Sequence, residues 1–308
     1  MSISRSILLW MSENKFMKER IPKLGFVRKA VKKFMPGETE DAALDAASEF
    51  SKLGIPSVFT KLGENITRLS EAETVRDHYL HLIDKIAERK LDIEISVKLT
   101  QLGFDLSEEE TYSNFIAIVK KAGEKLGNSV FIDMESSLYT QRTIDFYNKC
   151  KKEFGNIGIC IQAYLYRTGN DIQWLLGIDP EIRIVKGAYK EPTEIVFKKK
   201  SNVDENFFVC ASRLMTETGN KKVRPVFATH DEKLIRRIND EAGLIGIDKS
   251  KYEFQMLYGI KTNLQKKLAE EGYKFRVLIA YGESWFPWYM RRLAERPANI
   301  WFVLKNIF

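Results

Sequence analysis

The stretch Ile93-Glu94-Ile95-Ser96-Val97-Lys98-Leu99 decides the fold. Its period of two predicts a strand, because successive side chains on extended backbone point to opposite faces. Ile93, Ile95, Val97 and Leu99 form one face; Glu94, Ser96 and Lys98 form the other. Comparable β-branched or aromatic runs occur at Ser57–Leu62, Val130–Glu135, Ile159–Leu165, Arg183–Ala188, Val226–Thr229, Tyr252–Leu257 and Phe275–Ala280. Each is followed by sequence long enough for a crossover helix, as at Glu109–Leu126, Tyr139–Phe154 and Thr193–Thr218. Eight such units in tandem predict an α/β fold with a parallel sheet closed into a (βα)8 TIM-type barrel. An open doubly wound sheet is the alternative. No GxGxxG follows any of the predicted strands, so a Rossmann dinucleotide site has no support. Residues 1–54 read as an N-terminal helical segment, with the Ala-rich amphipathic stretch Glu38–Leu53 ended by Gly54 and Pro56, and residues 55–308 as the barrel.

The outer face of a barrel strand packs on helices and must be apolar. Glu94, Ser96 and Lys98 are therefore predicted to point inward. The same test sends Cys160, Gln162 and Tyr164 inward, together with Glu253, Gln255 and Leu257, and puts Phe131, Asp133 and Glu135 on one face. Barrel interiors are usually filled by Val, Ile and Leu. Polar groups there must be paired or must meet a ligand. The pattern predicts a polar cavity at the barrel mouth, with a set of internal salt bridges as the plainer reading.

Composition narrows the class of protein. Of 308 residues, 44% are hydrophobic and 30% charged, the balance of a globular domain. The net charge of +7 favours anionic ligands and surfaces but is no evidence for nucleic acid, since the lysines read as scattered. The one tight cluster, Lys198-Lys199-Lys200, reads as a solvated helix face. Cys150, Cys160 and Cys210 have no CxxC spacing and predict free buried thiols in a reducing compartment, hence a cytoplasmic protein. The apolar run Ile7 to Met11 is too short for a signal peptide, and no stretch is long enough to span a bilayer. His78 and His81 are spaced to share a helix face, but no third metal ligand lies nearby in sequence, so no metal is expected. The C-terminal Trp301–Phe308 reads as a segment docked on the barrel, with peripheral contact to the inner face of a membrane as the alternative.

Reactive groups in such barrels lie at the C-terminal ends of strands. Lys98, Asp133, Gln162, the run Arg183 to Tyr189, His230 and Leu257 fall at that level. Taken singly, each has an ordinary explanation: Lys98 and Asp133 as an ion pair, His230 as a helix cap. By themselves they define a barrel enzyme without a substrate.

In combination they resemble a family. Ser96-Val97-Lys98-Leu99, Ile161-Gln162-Ala163-Tyr164, Arg183-Ile184-Val185-Lys186-Gly187-Ala188-Tyr189, Phe227-Ala228-Thr229-His230, Phe254-Gln255-Met256-Leu257-Tyr258-Gly259 and Tyr289-Met290-Arg291-Arg292-Leu293 look like the ordered motifs of proline dehydrogenases. The resemblance covers roughly residues 50 to 308, and the chain length resembles the monofunctional bacterial type. It implies noncovalent FAD, oxidation of L-proline to Δ1-pyrroline-5-carboxylate by hydride transfer to flavin N5, reoxidation by a quinone, and a separate pyrroline-5-carboxylate dehydrogenase downstream. It implies that Arg291 and Arg292, in a last helix lying over the barrel mouth, grip the substrate carboxylate with Lys98 adding positive charge. Adjacent helical residues point about 100° apart, so both can reach one anion only if the helix lies across the mouth. Asp133 would hold Lys98, Arg183 would stand beside flavin N5, and Leu257 would cap the proline ring. Gln162 would donate to the flavin ring with Met134 close by. Lys186, Gly187 and Ala188 would run along the cofactor, and Thr229 and His230 would meet its pyrophosphate.

Two positions depart from the family pattern. Leu278 and Trp288 stand where the family often has Tyr, so hydroxyproline or another cyclic imino acid is the alternative substrate. Tyr289 or Tyr281 is the expected source of a replacement hydroxyl. A barrel lyase using Lys98 as a Schiff-base nucleophile, and a proline or flavin sensor without turnover, are the competing functions.

Overall fold

The computed structural model describes residues 8, 10–12, 14–23, 25–219 and 222–295. The predicted C-terminal docking segment, Trp301–Phe308, lies outside them. Eight parallel strands close on themselves in sequence order: β1 Ser57–Lys61, β2 Ile93–Val97, β3 Val130–Ile132, β4 Ile157–Gln162, β5 Glu181–Val185, β6 Arg224–Ala228, β7 Glu253–Leu257 and β8 Lys274–Tyr281. The seam pairs Ser57 with Val277 and Lys61 with Tyr281. The TIM-type barrel is therefore the fold, and the open sheet is excluded.

Helices follow the strands as crossovers: α4 Leu69–Glu88, α5 Glu108–Leu126, α6 Ser137–Lys151, α7 Thr168–Leu175, α8 Lys200–Glu217, α9 Glu232–Leu244 and α10 Thr262–Glu270. Local chemistry sets their ends. Ser107 caps α5 by accepting from the Glu110 N–H; three glutamates follow in the first turn, and Gly127 ends the helix at φ 64°. Before the barrel come α1 Lys15–Arg20, α2 Gly25–Val31 and α3 Glu40–Ser51; after it comes α11 Trp285–Glu295. Ala43, Leu44, Ala47 and Phe50 of α3 join the main core with the strands and crossover helices. Val27, Val31, Phe34 and Met35 join a second core with Trp285, Tyr289 and Leu293 of α11.

The strand bounds differ from the sequence reading in ways that matter for the site. β3 stops at Ile132 and β5 at Val185, so Asp133 and Lys186-Gly187-Ala188 stand beyond the ladder rather than in it. The backbone explains the second case: Gly187 adopts φ 105°, and a Cβ there would lie 2.3 Å from the Tyr164 ring. The helix after β5 begins at Lys200, not Thr193. Residues 193–199 instead run beside the end of β4, where Phe197 N–H donates to Tyr164 O and Tyr166 N–H to Ile195 O.

His78 and His81 also gain a partner the spacing could not show. Glu40 of α3 lies 3.4 Å from the first ring and 3.5 Å from the second, and Lys85 binds the same carboxylate at 2.6 Å. The cluster ties α3 to α4. Among the described residues, no group of three or more His, Cys, Asp or Glu is placed to hold a metal ion, and no helix is long and apolar enough to cross a membrane.

Candidate active site

The inward polar faces divide into two layers. At the bottom of the barrel, Arg224 binds Glu94 at 2.6 Å, Glu181 at 3.0 Å and Glu253 at 3.0 Å, while Arg276 binds Glu253 at 3.3 Å and Asp92 at 2.7 Å. Glu94 and Glu253, expected at a cavity, belong to this closed ion network. Salt bridges thus replace the usual apolar layer here. Above it the interior opens. A cavity of about 700 Å³ is lined by the ends of the strands, by the loop after β5 and by α11. Lys98, Asp133, Met134, Gln162, Arg183, Lys186, Gly187, Ala188, Thr229, His230, Leu257, Arg291 and Arg292 all line it. Every candidate site residue taken from the sequence is therefore brought to one hollow.

Asp133 is the hub of its floor. It accepts from Lys98 Nζ at 3.1 Å, Arg183 Nη2 at 2.5 Å, Ser96 Oγ at 2.8 Å and Thr60 Oγ1 at 3.4 Å. Burial alone would raise its pKa, but the Lys98 and Arg183 charges with the Ser96 hydroxyl outweigh burial and hold the carboxyl below its usual range. Asp133 thus stays ionised and is no proton acceptor near neutral pH. Arg183 is 1% exposed. Its other nitrogen donates to Gln255 Oε1 at 3.3 Å, and its guanidinium lies 5.0 Å from the centre of the Phe131 ring. Gln255 is itself oriented from below, since its amide donates to Glu253 Oε1 at 2.6 Å.

At the mouth, Arg291 is already engaged by a carboxylate. Glu64, in the loop after β1, accepts from both terminal nitrogens at 2.8 and 3.2 Å. Tyr189 completes the group: its hydroxyl donates to Glu64 at 3.4 Å, and Arg291 stands 4.9 Å from the centre of its ring. Burial raises the Tyr189 pKa well above its ordinary value, so the hydroxyl remains a donor. Tyr189 closes the candidate run read from the sequence but had been given no role there, and Glu64 was missed as a site residue. Strand-end position could have flagged Glu64, because the loop after β1 belongs to the same rim as the loops that were read. The expected replacement hydroxyls point elsewhere. Tyr281 meets His78 at 2.8 Å, and Tyr289 packs against Phe34 and Trp285. Leu257, Leu278 and Trp288 form the apolar wall.

The far end of the cavity is basic. Lys198, Lys200 and Lys261 line it. Lys198, Lys199 and Lys200 are all exposed, as a solvated face requires, but Lys198 and Lys199 precede α8 rather than lying in it, and Lys198 and Lys200 also line the cavity. Lys186 binds Asp204 and, at 2.9 Å, Asp231. His230 Nε2 accepts the Leu257 N–H at 2.9 Å, which places the proton of a neutral ring on Nδ1. Gln162 donates its amide to Glu135 O at 3.0 Å, and its buried Oε1 has no hydrogen-bond partner among the described residues. It offers a ligand an acceptor, not the donor anticipated from the sequence.

Glu135, just past β3, accepts the Thr100 N–H at 3.2 Å and the Thr100 hydroxyl at 2.7 Å. Burial outweighs these bonds and lifts its pKa from 4.5 to about 7. Between those values the folded chain binds more protons at this site than the unfolded chain does. Its contribution is full below the unfolded value and is lost as pH rises through the folded one. Glu135→Gln, which can keep both Thr100 bonds, should remove that slope. We expect near-equal stability to the native chain at about pH 5 and a gain of at most about 3 kcal/mol at about pH 8. Melting curves that shift together across this range would contradict the assignment.

A closed parallel barrel whose strand ends and rim loops gather cations, a buried carboxylate and an apolar wall around one hollow defines a (βα)8-barrel enzyme. Comparison with known proteins names the family. The sequence profile of the proline dehydrogenase family matches residues 43–305, and the chain belongs to that family, whose members oxidise proline in proline catabolism. It is 39% identical over 303 residues to Proline dehydrogenase 1 of Bacillus subtilis subsp. natto, covering 98% of each chain. It is 34% identical over 280 residues to Proline dehydrogenase of Deinococcus radiodurans, covering 89% of each. Among solved structures it is similar to proline utilization A (PutA) from Bdellovibrio bacteriovorus inactivated by N-propargylglycine, with a TM-score of 0.81 and 24% identity over 94% of this chain. It spans 38% of that longer chain, and the likeness concerns the fold. Family membership sets aside the Lys98 lyase, consistent with the Lys98–Asp133 ion pair.

Proposed function

We propose that the cavity binds FAD noncovalently and oxidises L-proline to Δ1-pyrroline-5-carboxylate. One observation carries the reading: Lys98, Asp133, Arg183, Arg291 and Arg292, from separate segments, line a single cavity. The residues fit the cofactor. The orphaned Gln162 Oε1 suits a ring N–H, Gly187 adds backbone alone to the lining, and Lys198, Lys200 and Lys261 suit a pyrophosphate. Lys186, Ala188, Thr229, His230 and Met134 would complete the cofactor walls. Bound FAD supplies the hydride acceptor, flavin N5, for the carbon next to the proline nitrogen, and a quinone reoxidises it.

The chain's own residues do the rest. Arg291 and Arg292 hold the substrate carboxylate, matching its planar geometry with guanidinium forks. Glu64 must yield Arg291 to it. Cations about the pocket favour the neutral amine from which hydride can leave. Asp133 positions Lys98 and Arg183, and Arg183 presents fixed positive charge to the flavin edge. Leu257, Leu278 and Trp288 pack on the ring. The product would then pass to a pyrroline-5-carboxylate dehydrogenase.

The test is the colour of the purified chain. A yellow protein whose visible flavin band bleaches on anaerobic addition of L-proline supports the reading. Preferential bleaching by hydroxyproline or pipecolate would reassign the substrate to the pocket shaped by Leu278 and Trp288. A yellow protein bleached by none of the three would leave a sensor, and a colourless one would refute the cofactor.

A further inference from the structure

The ion network at the bottom of the barrel is not explained by stability. Removing a cluster of charges from water is often no better than filling the same layer with hydrocarbon, and most barrels fill it with Val, Ile and Leu. The network does have a connection to the floor of the cavity. Glu253 and Gln255 alternate along β7 with Phe254 and Met256, which belong to the apolar core outside the sheet, so both polar side chains enter the interior, one layer above the other.

These two residues make a hydrogen-bond chain with a single direction. Arg183 Nη1 donates to Gln255 Oε1 at 3.3 Å, and Gln255 Nε2 donates to Glu253 Oε1 at 2.6 Å. Glu253 Oε2 accepts from Arg224 at 3.0 Å and from Arg276 at 3.3 Å. The order cannot be reversed. A flipped Gln255 amide would set its NH2 against a guanidinium, which only donates, and its oxygen against a carboxylate, which only accepts. Glu253 thus decides which end of the amide meets Arg183, and two guanidiniums keep Glu253 in place. Arg183, Gln255 and Glu253 are all buried. Phe131 fills the space beside them: Arg183 and Arg224 lie 5.0 and 5.4 Å from its ring centre, and a Cβ at Gly158 would come within 2.4 Å of the ring. With Asp133 and Ser96 accepting from Nη2, the Arg183 guanidinium is gripped at both terminal nitrogens.

We propose that Gln255 and Glu253 are positioning residues, through which the ion network at the bottom of the barrel fixes the Arg183 guanidinium and thereby the reduction potential of the flavin. The fixing of Arg183 rests on the hydrogen-bond chain alone; the effect on the potential rests on the flavin reading above. A guanidinium held still keeps its full charge at the flavin edge and favours the reduced, anionic ring. Once released, it can turn toward other acceptors, and the reduced ring loses that support.

Equilibration of the flavin-loaded chain with a redox dye tests this, beside crystal structures of the same variants. Gln255→Met keeps the length of the side chain and removes both of its hydrogen bonds. It should shift the flavin at least about tenfold toward the oxidised form, about 30 mV for a two-electron couple. It should lower kcat while the proline KM changes less than about threefold, because the carboxylate clamp on α11 is untouched. Glu253→Leu should shift the potential in the same direction from one layer further down, and Glu253→Gln, which can still accept from Gln255, should recover most of that shift. Glu181→Gln breaks the Arg224 network away from Gln255 and separates positioning from a loosened fold: it should lower the melting temperature and leave the potential native. In the crystal, the Arg183 guanidinium of Gln255→Met should move by more than about 0.5 Å, the tolerance of a catalytic group. A native potential in yellow Gln255→Met would overturn the proposal, as would an unmoved Arg183 or a shift equally large in Glu181→Gln. A colourless native chain would refute the flavin reading, and the position of Arg183 in crystals of Gln255→Met would still decide whether the chain through Gln255 holds it.

Discussion

Arg291→Ala and Arg292→Ala are each expected to raise the proline KM about a hundredfold while FAD stays bound. Removing one partner of a desolvated, hydrogen-bonded charge pair typically costs about 2–4 kcal/mol, and each 1.36 kcal/mol is about tenfold. The two variants should differ. Arg291 is the residue that neutralises Glu64, at 2.8 and 3.2 Å. Without Arg291 the Glu64 charge faces the incoming substrate carboxylate, so Arg291→Ala should be the more damaging. Adding Glu64→Gln to Arg291→Ala should recover part of the loss, and Glu64→Gln alone should lower KM by removing a competitor. The carboxylate is held in ground and transition state alike, so kcat at saturating proline should change much less than KM. Steady-state kinetics with flavin absorbance as an occupancy check decides this. A KM within about threefold of native in both single variants would remove the clamp from the reaction.

The second large effect is on stability. Asp133→Asn replaces a carboxylate that accepts from Lys98, Arg183, Ser96 and Thr60 with an amide that can accept at only one atom. Arg183 is fully buried and cannot shed its charge. Breaking such a pair from one side costs about 3–5 kcal/mol, which for a domain of this size lowers the melting temperature by about 10 °C. Lys98→Met in the Asp133→Asn background should restore part of the stability by deleting one stranded cation. Since a depressed carboxyl loses its advantage only when protonated, the native contribution is present above the unfolded pKa and fades as pH falls through the folded one. The gap between native chain and variant should therefore narrow in strong acid. An Asp133→Asn chain with the native urea midpoint would show that Lys98 and Arg183 find other acceptors, and Asp133 would lose its place as hub.

Much of this molecule was legible in one dimension. Strand periodicity is a local property: which residues of Ile93–Leu99 face helices follows from backbone alternation alone, and eight repeats of the same logic leave few ways to close a sheet. The inward direction of Ser96 and Gln162 was determined in the same way, Asp133 and Arg183 were marked by their place at strand ends, and the paired arginines could be placed over the mouth by their resemblance to a family motif. Other features have no local trace. The division of the interior into a closed ion network around Arg224 and an open cavity around Arg183 depends on how far along the barrel axis each charge lies. Partners set that depth: Glu94 meets Arg224 from a strand 130 positions away in sequence. Glu64 on Arg291 joins residues 227 apart, and Gln162 became an acceptor only because Glu135 O claimed its amide. Alternation along a strand is dictated by bonded geometry and survives in the sequence; the identity of a charge's partner is a through-space property, and only the closed barrel settles which carboxylate each cation meets.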